Sequence, residues 1–248
     1  MESLLCGARV REPLLQEQLR QNALLHLFVV SGAHLLWLDQ WLRRIHLPLW
    51  CRGGLWVFFS LACGWQPPIV RALVALGARQ WGGRWLHGLR PDQESLVAGV
   101  ATLVLFPAWI SSLSLALSWA AALALTLAWG EGWRREWRQG LFLWLCLLPL
   151  LAAWSFHHPL GVLINLFLAP VFSVIFLPLG AVCVLFPWFS PLFDFLFGAF
   201  RHVLGLMPSF QPDAAGGAAP RAEFFWLWLI FLHVLIHLVR LRQKRRRG

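Results

Sequence analysis

The sequence predicts an all-α fold: a polytopic membrane helical bundle with broken or re-entrant helices. Three observations carry this. Apolar residues make up 59% of the 248 residues against 13% charged, with a mean hydropathy of +0.64. That leaves too little polar surface to cover a soluble core of this size. The 17 tryptophans and 19 phenylalanines, with no tyrosine, gather at the ends of apolar runs, as Trp37, Trp41, Trp65, Trp109 and Trp188 do. An indole ring there is buried while its N–H stays wet. The formal net charge of +10 is almost all arginine, concentrated at 43–52, 79–90, 133–138 and the C-terminus. Those stretches alternate with loops near 66–68, 107–112, 156–159 and 208–222 that are nearly bare of positive charge. The positive-inside rule makes the first set cytoplasmic and the second outward.

Residues 1–22 read as a charged amphipathic surface segment, with Leu14, Leu15 and Leu19 on one face. They lack the basic start, apolar run and cleavage site of a secretory signal, so insertion is expected to rest on internal spans. The membrane domain is placed at 23–207. Its first apolar stretch, 24–38, is bounded by Asp39, Arg43 and Arg44. It is shorter than the ~20 residues of a full span, which predicts a tilted or partly re-entrant helix. Two short apolar pieces, 53–65 and 69–78, are joined by Gln66, Pro67 and Pro68. Prolines cannot continue a helix, so a hairpin or broken helix is expected.

Residues 96–110 and 113–129 predict a helical hairpin about Pro107. The stretch GWRREWRQG reads as a loop before a helix at 141–155. Residues 160–187 are apolar but contain Asn165, Pro170 and Pro178, which argues against one straight helix. An amphipathic segment follows at 192–207, then a polar linker at 208–223. The last transmembrane helix, within 224–248, ends in the basic tail RLRQKRRRG. That tail is an anchor on anionic lipid or, in a sharper reading, a nucleic-acid contact.

Polar groups inside apolar runs carry whatever chemistry the chain has. Ser31, Gly32 and His34 interrupt the first stretch, with His26 before them. Ser31 and His34, spaced i, i+3, would be neighbours on a helix, as in an intramembrane serine hydrolase, but no G-x-S-x-G pattern surrounds the serine. Arg71 follows the broken segment. It must face a partner or a wet cavity, or reach the interface with its guanidinium. Asn165 must hydrogen-bond to another helix or line a hydrated lumen. His233 and His237, at i, i+4, could share a metal or simply pack, and no H-E-x-x-H motif supports the metal. The five cysteines are scattered without a C-x-x-C pair, so neither a disulfide framework nor a metal knot is expected. The sole lysine is Lys244 and no phosphate-binding loop occurs, which excludes a P-loop motor. With only 11 acids, paired-carboxylate and two-metal chemistry are unsupported. No cofactor, metal or catalytic residue is expected, and the chain reads as a conduit or scaffold rather than an enzyme.

Three stretches together resemble one family. HLFVVSGAHLL at 26–36 resembles the His-Leu-x-x-x-Ser-Gly-x-His signature of the ComEC competence family. QPPIVRALVALGAR at 66–79 and HHPLGVLINLFLAPVFSVIFLPLGAVCVLF at 157–186 resemble two further segments of it, in the same order. The resemblance, which covers about residues 22–187, implies a multi-pass inner-membrane channel that passes one strand of transforming DNA into the cytoplasm. It carries over to His26, Ser31, Gly32, His34, Arg71, Asn165 and Pro170 as groups of the DNA path or its structural motif. Family members usually add an oligonucleotide-binding-like domain and a metallo-β-lactamase-like domain. This chain leaves no room for either and shows no H-x-H-x-D-H run. The partners so implied are single-stranded DNA, membrane lipid, a soluble motor or helicase, a DNA receptor, a separate nuclease and further copies of the chain. An intramembrane serine hydrolase and a small-solute or proton transporter remain the alternatives.

Overall fold

Helices make up nearly all of the chain that the computed structural model describes: residues 32–82, 88–127, 132–152, 171, 175–206 and 222–245. No strand occurs among the described residues, and the all-α expectation holds there. In chain order the helices are α1 (Gly32–Arg44), α2 (Leu49–Ala62), α3 (Pro67–Trp81), α4 (Pro91–Leu105), α5 (Leu113–Leu127), α6 (Gly132–Ala152), α7 (Leu177–Leu185), α8 (Ser190–Leu206) and α9 (Ala222–Arg245). A 3-10 turn, Pro107–Ser111, joins α4 to α5.

The chain's turns follow from local chemistry. Gln66 is extended (φ −75°, ψ 148°), as a residue before proline must be, and Pro67 opens α3 where its missing N–H costs nothing. Helix α2 stops in a Schellman motif. Gly64 (φ +77°) donates its N–H to the Leu61 carbonyl, and Trp65 donates to that of Ser60, both at 2.9 Å. The end of α1 repeats the pattern with His46 (φ +56°) in the left-handed position. There Leu47 N–H bonds Leu42 O at 3.1 Å, and the Leu47 side chain packs against the core to which Leu42 belongs. The proline pair therefore marks a hairpin turn between α2 and α3.

Two expectations are corrected. GWRREWRQG is helical rather than a loop and forms the first turns of α6, because Arg, Glu and Gln are good helix formers. Asp39 does not end its helix either. α1 runs on to Arg44, since Arg43 and Arg52 neutralise the carboxylate.

Helix α3 packs on α1, α2, α4 and α5, while α5 also packs on α6 and α9. One core joins Leu35 and Leu42 of α1, Trp56 and Cys63 of α2, and Ile69, Ala72 and Leu76 of α3. The other joins Ala116, Trp119, Ala120, Leu123 and Ala124 of α5 to residues of α6 and α9, among them Leu150, Leu229 and Ile236. Ala116, Ala120 and Ala124 recur every four residues, the small-residue spacing that lets helix backbones approach closely.

The fold gathers the arginine-rich segments at one end. Arg43 and Arg52 meet Asp39, Arg79 meets Glu94 at 2.6 Å, and Arg90 and Arg240 meet Asp92. The Trp56–Trp81 ring contact places the α1–α2 joint beside the end of α3. At the opposite end Trp65 contacts Phe106, Phe106 stacks on Trp109, and Trp226 Nε1 donates to Ile110 O at 3.0 Å. Outward faces between the two ends are apolar: Phe58 is 69% exposed, Val104 72% and Leu227 67%. Within α9, Glu223–Arg242 is the one stretch among the described residues long and apolar enough to cross a membrane; α2 and α5 are apolar but shorter.

Candidate functional site

Arg71 lies in the second turn of α3, about 6 Å along the axis from Pro67. It is buried, only 8% exposed. Its Nε donates to Ser118 Oγ of α5 at 3.0 Å. No carboxylate pairs with it among the described residues. The position is electrostatically awkward, because the helix start carries partial positive charge from its free N–H groups. The one hydrogen bond, from Nε to a neutral hydroxyl, leaves its two terminal nitrogens without a protein partner among the described residues.

The first motif comes to the same place. A Cβ on Gly32 would lie 2.8 Å from Ala72 Cβ and 3.2 Å from Pro68 O. The glycine thus lets α1 sit directly on the turn of α3 that carries Arg71. His34, two residues further along α1, is buried and engaged. Gly32 and the turn that carries Arg71 therefore belong to one helix crossing, which explains why a glycine stands in that apolar stretch. Gly32→Val is expected to separate α1 from α3 and destabilise the protein by about 2–3 kcal/mol, the upper part of the range for overpacking. Thermal unfolding of the purified protein in detergent measures it, and an unchanged midpoint would refute the close approach. His26, Ser31, Asn165 and Pro170 lie outside the described residues. So does most of 157–186, apart from the part that enters α7.

Other polar groups form separate assemblies. Asp39, with its side chain 5% exposed, accepts from Arg43 Nε at 2.7 Å and from Arg52 NH2 at 2.8 Å. Asp92 takes Arg240 of α9 and, at 3.5 Å, Arg90. The two histidines of α9 are divided between partners. His233 Nε2 accepts from Trp119 Nε1 at 3.1 Å, whereas His237 Nδ1 lies 3.5 Å from the Arg90 guanidinium. No group of three metal-ligating side chains occurs among the described residues.

Ser118 and the two aspartate clusters escaped the sequence reading. Asp39 and Asp92 carried a faint signal, being among the few acids of an arginine-rich chain. Ser118 carried none, since serines recur through that apolar run.

The family model described as Competence protein matches residues 4–245. No curated protein and no solved structure matches the chain. The match spans nearly the whole sequence, and two of the signature stretches that carry the resemblance pack against each other at Gly32 and Ala72. The chain belongs to the Competence protein family.

Proposed function

We propose that the chain is a multi-pass protein of the bacterial inner membrane through which one strand of transforming DNA reaches the cytoplasm. Membership of a membrane-associated family is consistent with a role in DNA uptake. The channel role rests on Arg71. A guanidinium at membrane depth costs about 2.5–3.5 kcal/mol or more on insertion scales. Such a group is retained where something anionic repays its desolvation, and among the described residues no carboxylate does so. A DNA strand carries one phosphate per nucleotide, which a guanidinium fork can grip with two parallel hydrogen bonds.

The surroundings support the reading. Apolar side chains cover the outer faces of α2, α4 and α9, and the ion-paired arginines among the described residues gather at one end, as in a bundle with that end in the cytoplasm. The protein acts as a conduit without chemistry of its own. A soluble motor or helicase drives the strand, a receptor delivers it and a separate nuclease prepares it. More than one copy encloses the path.

Arg71→Glu tests this directly in competent cells whose own copy is replaced. Transformation should fall about 100-fold, matching the loss of a charge-assisted contact of about 3 kcal/mol. Membrane levels, followed by immunoblot, should hold. Arg71→Lys, which keeps the charge but not the fork, should fall between. Unimpaired uptake by Arg71→Glu at normal protein levels would remove the basis of the channel.

A further inference from the structure

The end of the bundle opposite the ion-paired arginines presents aromatic rings. Trp65 meets the edge of Phe106, with ring centroids 6.3 Å apart at 71°. Phe106 lies nearly parallel to Trp109, at 4.4 Å and 22°. All three rings are half-buried. Trp226 pins the turn that holds Trp109 through its bond to Ile110 O. No Lys or Arg occurs in the adjoining sequence 57–70 or 100–118.

Trp65 carries a feature that the turn does not require. A Schellman motif needs one left-handed residue, and Gly64 supplies it at φ +77°. Trp65 is left-handed as well, at φ +51°, a conformation that a bulky side chain adopts only under compulsion. Strain of this kind, held by its surroundings, marks places where a side chain must be aimed. Here it aims the indole at Phe106, immediately before the helix that carries Arg71. A plain membrane-interface belt needs each ring only to sit at headgroup level with its N–H wet. It needs neither ring-on-ring stacking nor a strained backbone.

Resting on the conduit reading, we infer that Trp65, Phe106 and Trp109 form a stacking platform for the bases of a single DNA strand, set before Arg71 takes the phosphate. Every base has a π-face, so the platform accepts any sequence, as a carrier of arbitrary DNA must. The site takes bases and leaves the backbone to Arg71, whose Nε is already held by Ser118.

The test uses the full chain in lipid nanodiscs, with fluorescence anisotropy of labelled oligo(dT) and of an abasic strand of equal length at one fixed salt concentration. Trp109→Leu, which a lipid belt would tolerate, should weaken oligo(dT) binding about 10-fold, the scale of one base–aromatic stack. It should leave the abasic strand unaffected, and Trp109→Phe should recover most of the loss. If Trp109→Leu does not fold, Phe106→Leu is read by the same comparison. Equal oligo(dT) affinity in all forms would overturn the platform, and the conduit would stand if Arg71→Glu still weakened both probes. Failure of the unaltered protein to bind either strand would sink the conduit, and the platform with it.

Discussion

Asp39→Ala is expected to lower the stability of the protein by about 3 kcal/mol, the lower end of the cost of stripping a partner from a buried charge. Asp39 is almost fully enclosed, and Arg52 opposite it is only 11% exposed. The two make paired contacts, from Nε at 3.1 Å and NH2 at 2.8 Å to the same oxygen. The Arg52 guanidinium also lies over the Trp56 ring, 5.4 Å from its centroid. Removing the carboxylate would leave that cation sealed against Trp56 with no counter-charge. The loss should therefore be largely undone in Asp39→Ala/Arg52→Met, because replacing a whole buried pair by apolar groups is close to neutral. Thermal unfolding in detergent of the wild type, both single variants and the double closes the cycle. A double variant as unstable as Asp39→Ala would mean that packing, not charge, is what Asp39 supplies.

Gly99→Leu is expected to cost more, about 4 kcal/mol: overpacking of up to about 3 plus about 1 for a displaced hydrogen bond. The Trp119 ring of α5 lies directly on the Gly99 backbone of α4, where a Cβ would overlap it. The ring has nowhere to go. It bonds His233 through Nε1 and meets Trp226 edge-on at 6.1 Å, so displacing it disturbs α9 as well as α4. Limited proteolysis should cut near α9 before the rest of the bundle, and the unfolding midpoint should fall by more in Gly99→Leu than in Gly99→Ala. Similar midpoints for Gly99→Leu and wild type would refute the ring-on-backbone contact.

Much of this architecture was legible because it follows from local chemistry. Pro67 and Pro107 begin new helical segments, and the apolar runs before, between and after them fix α2, α3, α4 and α5. The alternation of arginine-rich and arginine-poor loops anticipated which turns share an end. The misreadings also have local causes. In α6 a cluster of charges looked like a loop although its residues favour helix. In α1 a lone aspartate looked like a boundary because the more buried of its two arginine partners, Arg52, lies 13 residues away. Longer separations hid more. Asp92 and Arg240 are 148 residues apart, and Arg71 and Ser118 are 47 apart. No periodicity links such pairs, since only the packing of α3, α4, α5 and α9 brings them together. Within the candidate site, Arg71 stood out as a charge in an apolar setting and Gly32 as an interruption. That the two share one helix crossing was visible only in three dimensions.

The helices at the heart of the bundle are short. α2 has 14 residues, and α3, α4 and α5 have 15 each, so they rise only about 21–23 Å, against a hydrocarbon layer ~30 Å deep. In the placement proposed here, lipid beside them must compress at fractions of a kcal/mol per Å of hydrophobic mismatch. The 24-residue α9, about 36 Å long, must lean over at the same time. A pinched bilayer beside α2–α5 would shorten the oily stretch that a string of phosphates has to get past, and the region of least thickness would coincide with the helices that carry Arg71 and Ser118.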